Sequence, residues 1–483
     1  MPTRIIEGIA LAAAIGLIVY QVLVPPPIGL ADNGDFAKIT GKFSLRVPYD
    51  PSFPPASAYV QLHYQFSPKY HWRSGFHSSE MLLVQGALWL NRLMHRDGTF
   101  DIRFLGVTHA FLFLVAFALL APLLVGLKPA LRAALLALAV LIFCDAMYVT
   151  YYNSFYMDAA AFVFLLLALV FFTRAVRSAG RWGADAWLAV LFSVLLLTAK
   201  TQHALLAIPL VVFVLWKRRT LWPRRALLAS ALAAALIVGG AAYALTKGSP
   251  PGYANPCLFS LIFGRLLPSA VDPSRELASL GLDDSYLRCT GMSAYDPDAP
   301  LHDDLWAQEF LSRTSFPRLA LFYLSHPRRA LYVAGLALQE ASLQRPEGLG
   351  NYDRSAGNRP GSQSDEFSLW STAKQEVLGS APWLYPLIFA LSVGIVAWRY
   401  PAGGVALGMA GVIEFGLGGM TDACEVTRHL FFFNLLWDVS LFAALCVLAL
   451  ALDGRLRRRR SPSSRASANI KHTPRKRASG NHW

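Results

Sequence analysis

Long apolar runs without charge alternate along the chain with short polar connections. They fall near residues 6–24, 104–126, 131–149, 158–173, 187–199, 202–216, 226–246, 381–398, 402–420 and 430–452. Runs of this kind suit helices crossing a ~30 Å hydrocarbon core at 1.5 Å per residue. The pattern therefore predicts an all-α polytopic membrane protein of about ten transmembrane helices. Residues 80–95 (EMLLVQGALWLNRLMH) are amphipathic and flanked by charge, which predicts a helix lying in the membrane interface. Lys200, Gln202 and His203 interrupt residues 187–216, so these read as two short spans, or a re-entrant pair, meeting at AKTQH. The first run follows MPTR and precedes three prolines without a small-x-small cleavage site, and reads as a retained signal anchor.

Basic residues in the short connections orient the spans. With the N-terminus inside, the cytoplasmic pieces carry Arg4, then Lys128 and Arg132, then Arg174, Arg177 and Arg181. KRRTLWPRR (Lys217 to Arg225), Arg399 and the C-terminal tail follow. Every short basic connection then lies on one side, so the chain reads as N-in and C-in. The division is a membrane module over 1–246 with its first periplasmic loop at 25–103, and a large, mostly helical periplasmic loop over 247–380. A three-helix module over 381–452 and a basic, disordered cytoplasmic tail over 453–483 complete it. The Gly- and Ser-rich stretch 345–368 reads as a mobile surface loop, a lid over the acceptor.

Composition agrees. Hydrophobic residues make up 55% and charged residues 15%, against roughly 25% charged in a soluble domain. The net charge of +14 suggests nucleic acid until it is located: ten of the 44 Lys and Arg lie after Ala451, beside the single acid Asp453. Such a tail reads as a topology anchor on anionic lipid, and no nucleic-acid partner is expected. Cys144 and Cys446 fall within spans, Cys424 stands alone, and Cys257 with Cys289 in the large loop suits a disulfide in an oxidising compartment. No Cys/His spacing indicates zinc.

The candidate chemistry sits in the loops. Ala31-Asp32-Asn33-Gly34-Asp35-Phe36 follows the first span. Its Asn-Gly pair makes a turn that Asp32 caps, and Asp35 is left as a carboxylate that can take a proton from an attacking hydroxyl. Tyr151 to Asp158 (YYNSFYMD) offers Tyr152, Asn153 and Tyr156 as sugar-binding groups before a second acid. There Asp158 also suits a helix N-terminus. Lys200 and His203 at one loop, and Glu425, Arg428 and His429 at another, are cationic or polar groups for a phosphate headgroup. A plain Glu425–Arg428 pair at i,i+3 is the alternative. Asp145, Glu414 and Asp438 lie inside predicted spans, where ionisable groups are costly.

The acidic first loop with its interfacial helix, and the second acid at a later helix edge, resemble the GT-C superfamily of membrane glycosyltransferases. More narrowly, NGDF, YNSFY before Asp158, HPRR, NYDRSAG and ExxRH are similar to bacterial WsfD-like hexose transferases. The resemblance implies a polyprenyl-phosphate-linked sugar donor, a glycan or surface-polymer acceptor, and inversion at the anomeric carbon, in the bacterial inner membrane with the site facing the periplasm. It makes Asp35 the base with Asp32 beside it, Asp158 the second acid, and Lys200, Arg428 and His429 the phosphate contacts. The first acids are spaced D-x-x-D rather than the D-x-D of metal-using relatives, which leaves dependence on a divalent metal open. A polysaccharide polymerase or ligase shares the lipid-linked donor. A lipid-linked-sugar flippase is the other class, but it calls for repeats or broken helices, and no repeat is seen.

Overall fold

The computed structural model describes residues 3–47, 56–67, 75–177 and 183–460. Arg181 and the tail beyond Arg460 lie outside the described residues. The chain is mostly helical. Among the described residues, six helices are long and apolar enough to cross a membrane, or seven if one bent pair counts as a single span.

The six are α1 (Thr3–Leu23), α3 (Arg103–Leu120 and the turn to Leu124), α5 (Asp158–Arg177), α8 (Ala226–Lys247), α13 (Pro401–Gly419) and α14 (Phe431–Arg460). The other four expected spans fall on shorter helices. These are α4 (Pro129–Phe143), α6 (Ala184–Leu197), α7 (Ala207–Leu221) and α12 (Leu384–Arg399). Within the large loop, α9 (Phe316–Ser325) and α10 (Pro327–Ser342) come before α11 (Leu369–Ser380), which meets α12 at a bend of 116°. The segment expected to lie in the interface is α2 (Glu80–Met94), which buries Leu83, Val84, Ala87 and Leu88 and exposes Leu82, Trp89, Leu93 and Met94.

Helix α5 is the hub, with 72% of its apolar window buried against 22% for α1. Ala159, Ala160 and Ala161 at its start have no bulk to hold neighbours off, which favours close helix packing. Residues 187–216 form a hairpin rather than one long helix. Asp185 at the start of α6 pairs with Arg174, and Lys200 at the far end reaches Asp158. The chain then turns back, bringing Trp222 against Trp187.

Contacts sort the connections into two ends. At one end Arg132 pairs with Glu7, Arg174 with Asp185 and Lys128 with Asp453. The loops after α1, before α5, between α6 and α7, and before α14 meet at the opposite end, here the site end.

Three expectations are corrected. The fold is not purely α: Leu45–Arg46 (β1), His63–Phe66 (β2) and Thr99–Asp101 (β3) form a small antiparallel sheet, with Tyr64 opposite Phe100. Strands this short carry too little alternation to be read in sequence. The 345–368 stretch is not a free lid. Asn351 and Ser364 are buried, Asn351 exchanges backbone and side-chain hydrogen bonds with Gly29, and Gly350 accepts the Ala31 N–H. This belt ties down the segment that leads into the acidic turn. Cys257 and Cys289 are both free thiols. Cys289 packs in the apolar core of the large loop with Phe259 and Phe263, whereas Cys257 faces Asp422.

Candidate functional site

The acidic turn is built by its own side chains. Asp32 Oδ1 accepts the N–H groups of Gly34 (2.8 Å) and Phe36 (3.0 Å), and Asn33 Oδ1 accepts that of Asp35 at 3.1 Å. Gly34 has φ +104°, a left-handed conformation that glycine adopts without steric cost. Asp32 is thus a turn residue, as its spacing suggests. Burial pushes its pKa up, against the two N–H bonds that lower it.

Tyr156 fixes the turn from the next loop. Its hydroxyl accepts the Asn33 N–H at 3.1 Å and donates to Ala31 O at 2.9 Å. Its ring meets Phe36 edge-on. Asn153 lies beneath, fully buried, donating to Val22 O at 3.0 Å and Ile28 O at 2.8 Å. A Cβ on Gly106 would stand 2.1 Å from Asn153 Oδ1, and one on Gly29 would stand 2.7 Å from Asn153 O. Both glycines are therefore required by close approach.

Asp35 projects from the turn into a cluster of cations. Arg428 Nη2 lies 2.8 Å from Asp35 Oδ2 and 2.7 Å from Glu425 Oε2. Lys38 pairs with Asp35 from one helical turn away and packs over the Tyr253 ring, whose hydroxyl it also contacts. Glu425 in turn accepts from the Asn33 amide. Burial acts to raise the Asp35 pKa, but Arg428 and Lys38 outweigh it and hold the carboxyl well below the usual carboxylate range. Burial likewise opposes the charge of Arg428, and Asp35 and Glu425 more than offset it, so its pKa stands above the ordinary value. The Arg428 guanidinium also sits over the Tyr156 ring, 4.9 Å from its centre.

Beside this cluster, Asp158 at the start of α5 receives Lys200 Nζ at 3.1 Å through Oδ1. Its Oδ2 is buried with no hydrogen-bond partner among the described residues. Lys200 is near enough to act on Asp35 electrostatically. His429 bonds Asp422 through Nδ1, and its Nε2 faces Arg428 at 3.4 Å. Burial lowers the His429 pKa, in opposition to Asp422.

Asp32, Asn33, Asp35, Tyr156, Glu425 and Arg428 therefore meet directly, with Asp158, Lys200 and His429 alongside. Three residues singled out in the sequence do not join them. His203 is fully buried against Glu414 at 2.9 Å. Tyr152 lies in the core between His109 and Phe162. Asn153 serves the backbone. The acids inside the bundle are also accounted for: Asp438 pairs with Lys374 at 3.1 Å, Glu414 takes His203 and Gln202, and Asp145 accepts the N–H groups of Met147 and Ser371. Lys38, Tyr253 and Asp422 are site residues that the sequence reading missed. Lys38 carried a signal in its i,i+3 spacing from Asp35, and Asp422 stands in the same loop as Glu425 and His429; Tyr253, in a distant loop, carried none.

Among the described residues, no three His, Cys, Asp or Glu side chains converge as metal ligands. The neighbours of Asp35 are cations, a donor set that does not fit a divalent ion. No curated protein matches the chain. The family model described as YfdI N-terminal transmembrane domain matches residues 3–471, nearly the whole length, and the protein belongs to that family.

Proposed function

We propose that this membrane protein transfers a hexose from a polyprenyl-phosphate-linked donor to a glycan or surface-polymer acceptor, with inversion, as a GT-C type glycosyltransferase of the bacterial inner membrane whose site end faces the periplasm. The observation that carries this reading is the meeting of Asp35 with Arg428 and Lys38, next to Asp158 with Lys200, where the helices end. A lipid phosphate and its sugar would arrive at that level of the membrane. The chemistry needs a carboxylate to take a proton and cations to receive a phosphate, and the site contains both.

In this mechanism the acceptor hydroxyl oxygen bonds to the anomeric carbon from the face opposite the phosphate. The anomeric C–O bond to phosphate breaks, its electron pair leaves with the polyprenyl phosphate, and the hydroxyl proton passes to Asp35. Arg428 and Lys200 meet the charge of the departing phosphate. A carboxylate gripped by two cations is a weak base. A phosphate entering beside Arg428 competes with Asp35 for the same guanidinium, and losing part of that partner raises the Asp35 pKa. The base is then strongest when donor is bound.

The test is mass spectrometry of surface glycans from a deletion strain, with the gene restored as wild type or as Asp35→Asn. Loss of one hexose, restored by wild type and not by Asp35→Asn, is the expected result. An unchanged glycan profile in the deletion strain would overturn the reading.

A further inference from the structure

A cavity of about 220 Å³ opens between the last turn of α1 and the 352–366 stretch. Tyr20, Gln21, Tyr352, Asn358, Ser364 and Glu366 line it. Hydroxyls, amides, a carboxylate and two aromatic rings are the groups that bind sugar hydroxyls and the apolar faces of sugar rings. The lining includes no Lys or Arg, so it offers no counter-charge to a phosphate and, through Glu366, repels one.

Gln21 supplies a second, independent observation. It is 2% exposed, and its Nε2 donates to Leu17 O at 3.2 Å and Cys144 O at 3.0 Å. Its Oε1 is buried with no hydrogen-bond partner among the described residues. Buried polar atoms are nearly always paired, and Gln21, which lines the cavity, places this unpaired acceptor beside its wall. Glu366 is held by the Tyr20 hydroxyl, and the Tyr20 ring is set edge-on against Phe367 at 5.5 Å.

We propose that this cavity is a carbohydrate subsite that holds one neutral sugar unit of the acceptor. The assignment of the sugar to the acceptor rests on the transferase reading above. The volume lies below the roughly 300–1,000 Å³ of pockets for drug-sized ligands, which suits one ring rather than an oligosaccharide. Ile28 also lines the cavity, and its segment runs on through Ala31 into the acidic turn. Asp35 stands seven positions after Ile28, at most about 25 Å away with the chain extended, and is not among the residues that line the cavity. A unit anchored here would lie within reach of the proposed base.

The experiment is saturation-transfer NMR on the purified full chain in nanodiscs, titrated with a panel of neutral methyl hexosides and with glycerol phosphate as the anionic control. At least one methyl hexoside should bind, and glycerol phosphate should not compete with it. Asn358→Ala and Glu366→Gln should each weaken that binding about 3- to 10-fold, the loss of one hydrogen bond, while Asp35→Asn leaves it unchanged. Thermal melting of each variant identifies any that misfold, and either folded variant suffices for the test. Binding that ignores both variants, no binding by any hexoside, or binding of glycerol phosphate in their place would overturn the subsite. Sugar transfer measured on the same samples separates the two proposals. Binding sensitive to the cavity variants without transfer keeps a sugar site and removes the transferase reading. Transfer with binding indifferent to the variants does the reverse.

Discussion

Arg428 Nη2 lies 2.8 Å from the carboxylate of Asp35, although 393 residues separate the two in the chain. One is held on the turn after the first helix and the other on the turn before the last. Their contact joins the two ends of the membrane domain and sets the protonation state of the proposed base.

Asp35 and Asp32 should respond differently to loss of charge. Asp35→Asn keeps the side-chain size and should leave folding intact while turnover falls by at least ~10². Asp32→Asn retains an oxygen for the Gly34 and Phe36 N–H groups and should lose less. Transfer assays on both purified variants decide this; a near-normal rate for Asp35→Asn moves the role of base to Asp158.

Removing Arg428 should weaken donor binding and destabilise the fold. Its side chain is only 4% exposed, and stripping one partner from a buried ion pair costs about 3–5 kcal/mol. The folded-state pKa of Asp35 is depressed, so the stability gained from the pair is full above the unfolded carboxylate value of about 3.9. It is lost only as pH falls through the lower folded value. The melting-temperature gap between wild type and Arg428→Ala should therefore persist down to about pH 4 and narrow only below it. A gap that closes around pH 6 would instead implicate His429.

Asn153 is expected to act on structure first. Asn153→Ala leaves the Val22 and Ile28 carbonyls without their donor and should cost about 1–3 kcal/mol. Gly106→Ala should cost a similar ~1–3 kcal/mol by overpacking against the same side chain. Both should lower the melting temperature and the transfer rate together. If either abolishes transfer at unchanged stability, Asn153 has a direct role that its buried contacts do not show.

All five cysteines should label with a thiol reagent after unfolding without reductant, since all are free. Mass spectrometry gives the count. Blocked Cys257 and Cys289 would restore the disulfide and require the large loop to repack.

Orientation is testable with fused reporters. A periplasmic reporter should be active after Gly252 and silent after Arg225, and a cytoplasmic reporter should behave in the opposite way. Equal behaviour at both positions would place the two ends of α8 on one side of the membrane.

The sequence alone determined the membrane class, because runs of apolar residues report directly on burial in lipid. It also supplied the helix positions, that over residues 80–95 among them, and Asp32 as a turn residue, since each depends on neighbours a few residues away. Tertiary structure decided what depends on distant partners. Tyr152 and Asn153 look like sugar ligands in a string of hydroxyls and amides, but folding turns both inward: Gly29 and Gly106 leave room for Asn153, and Tyr152 packs between His109 and Phe162. HPRR stands out in the sequence only as part of the family resemblance, and folding commits its Arg329 to Glu276 and the Leu266 carbonyl within the large loop. The pairing of Asp35 with Arg428, Asp158 with Lys200 and Lys374 with Asp438 was likewise invisible: a local pattern records which charges are present, and only packing determines which of them share a low-dielectric space and must neutralise one another.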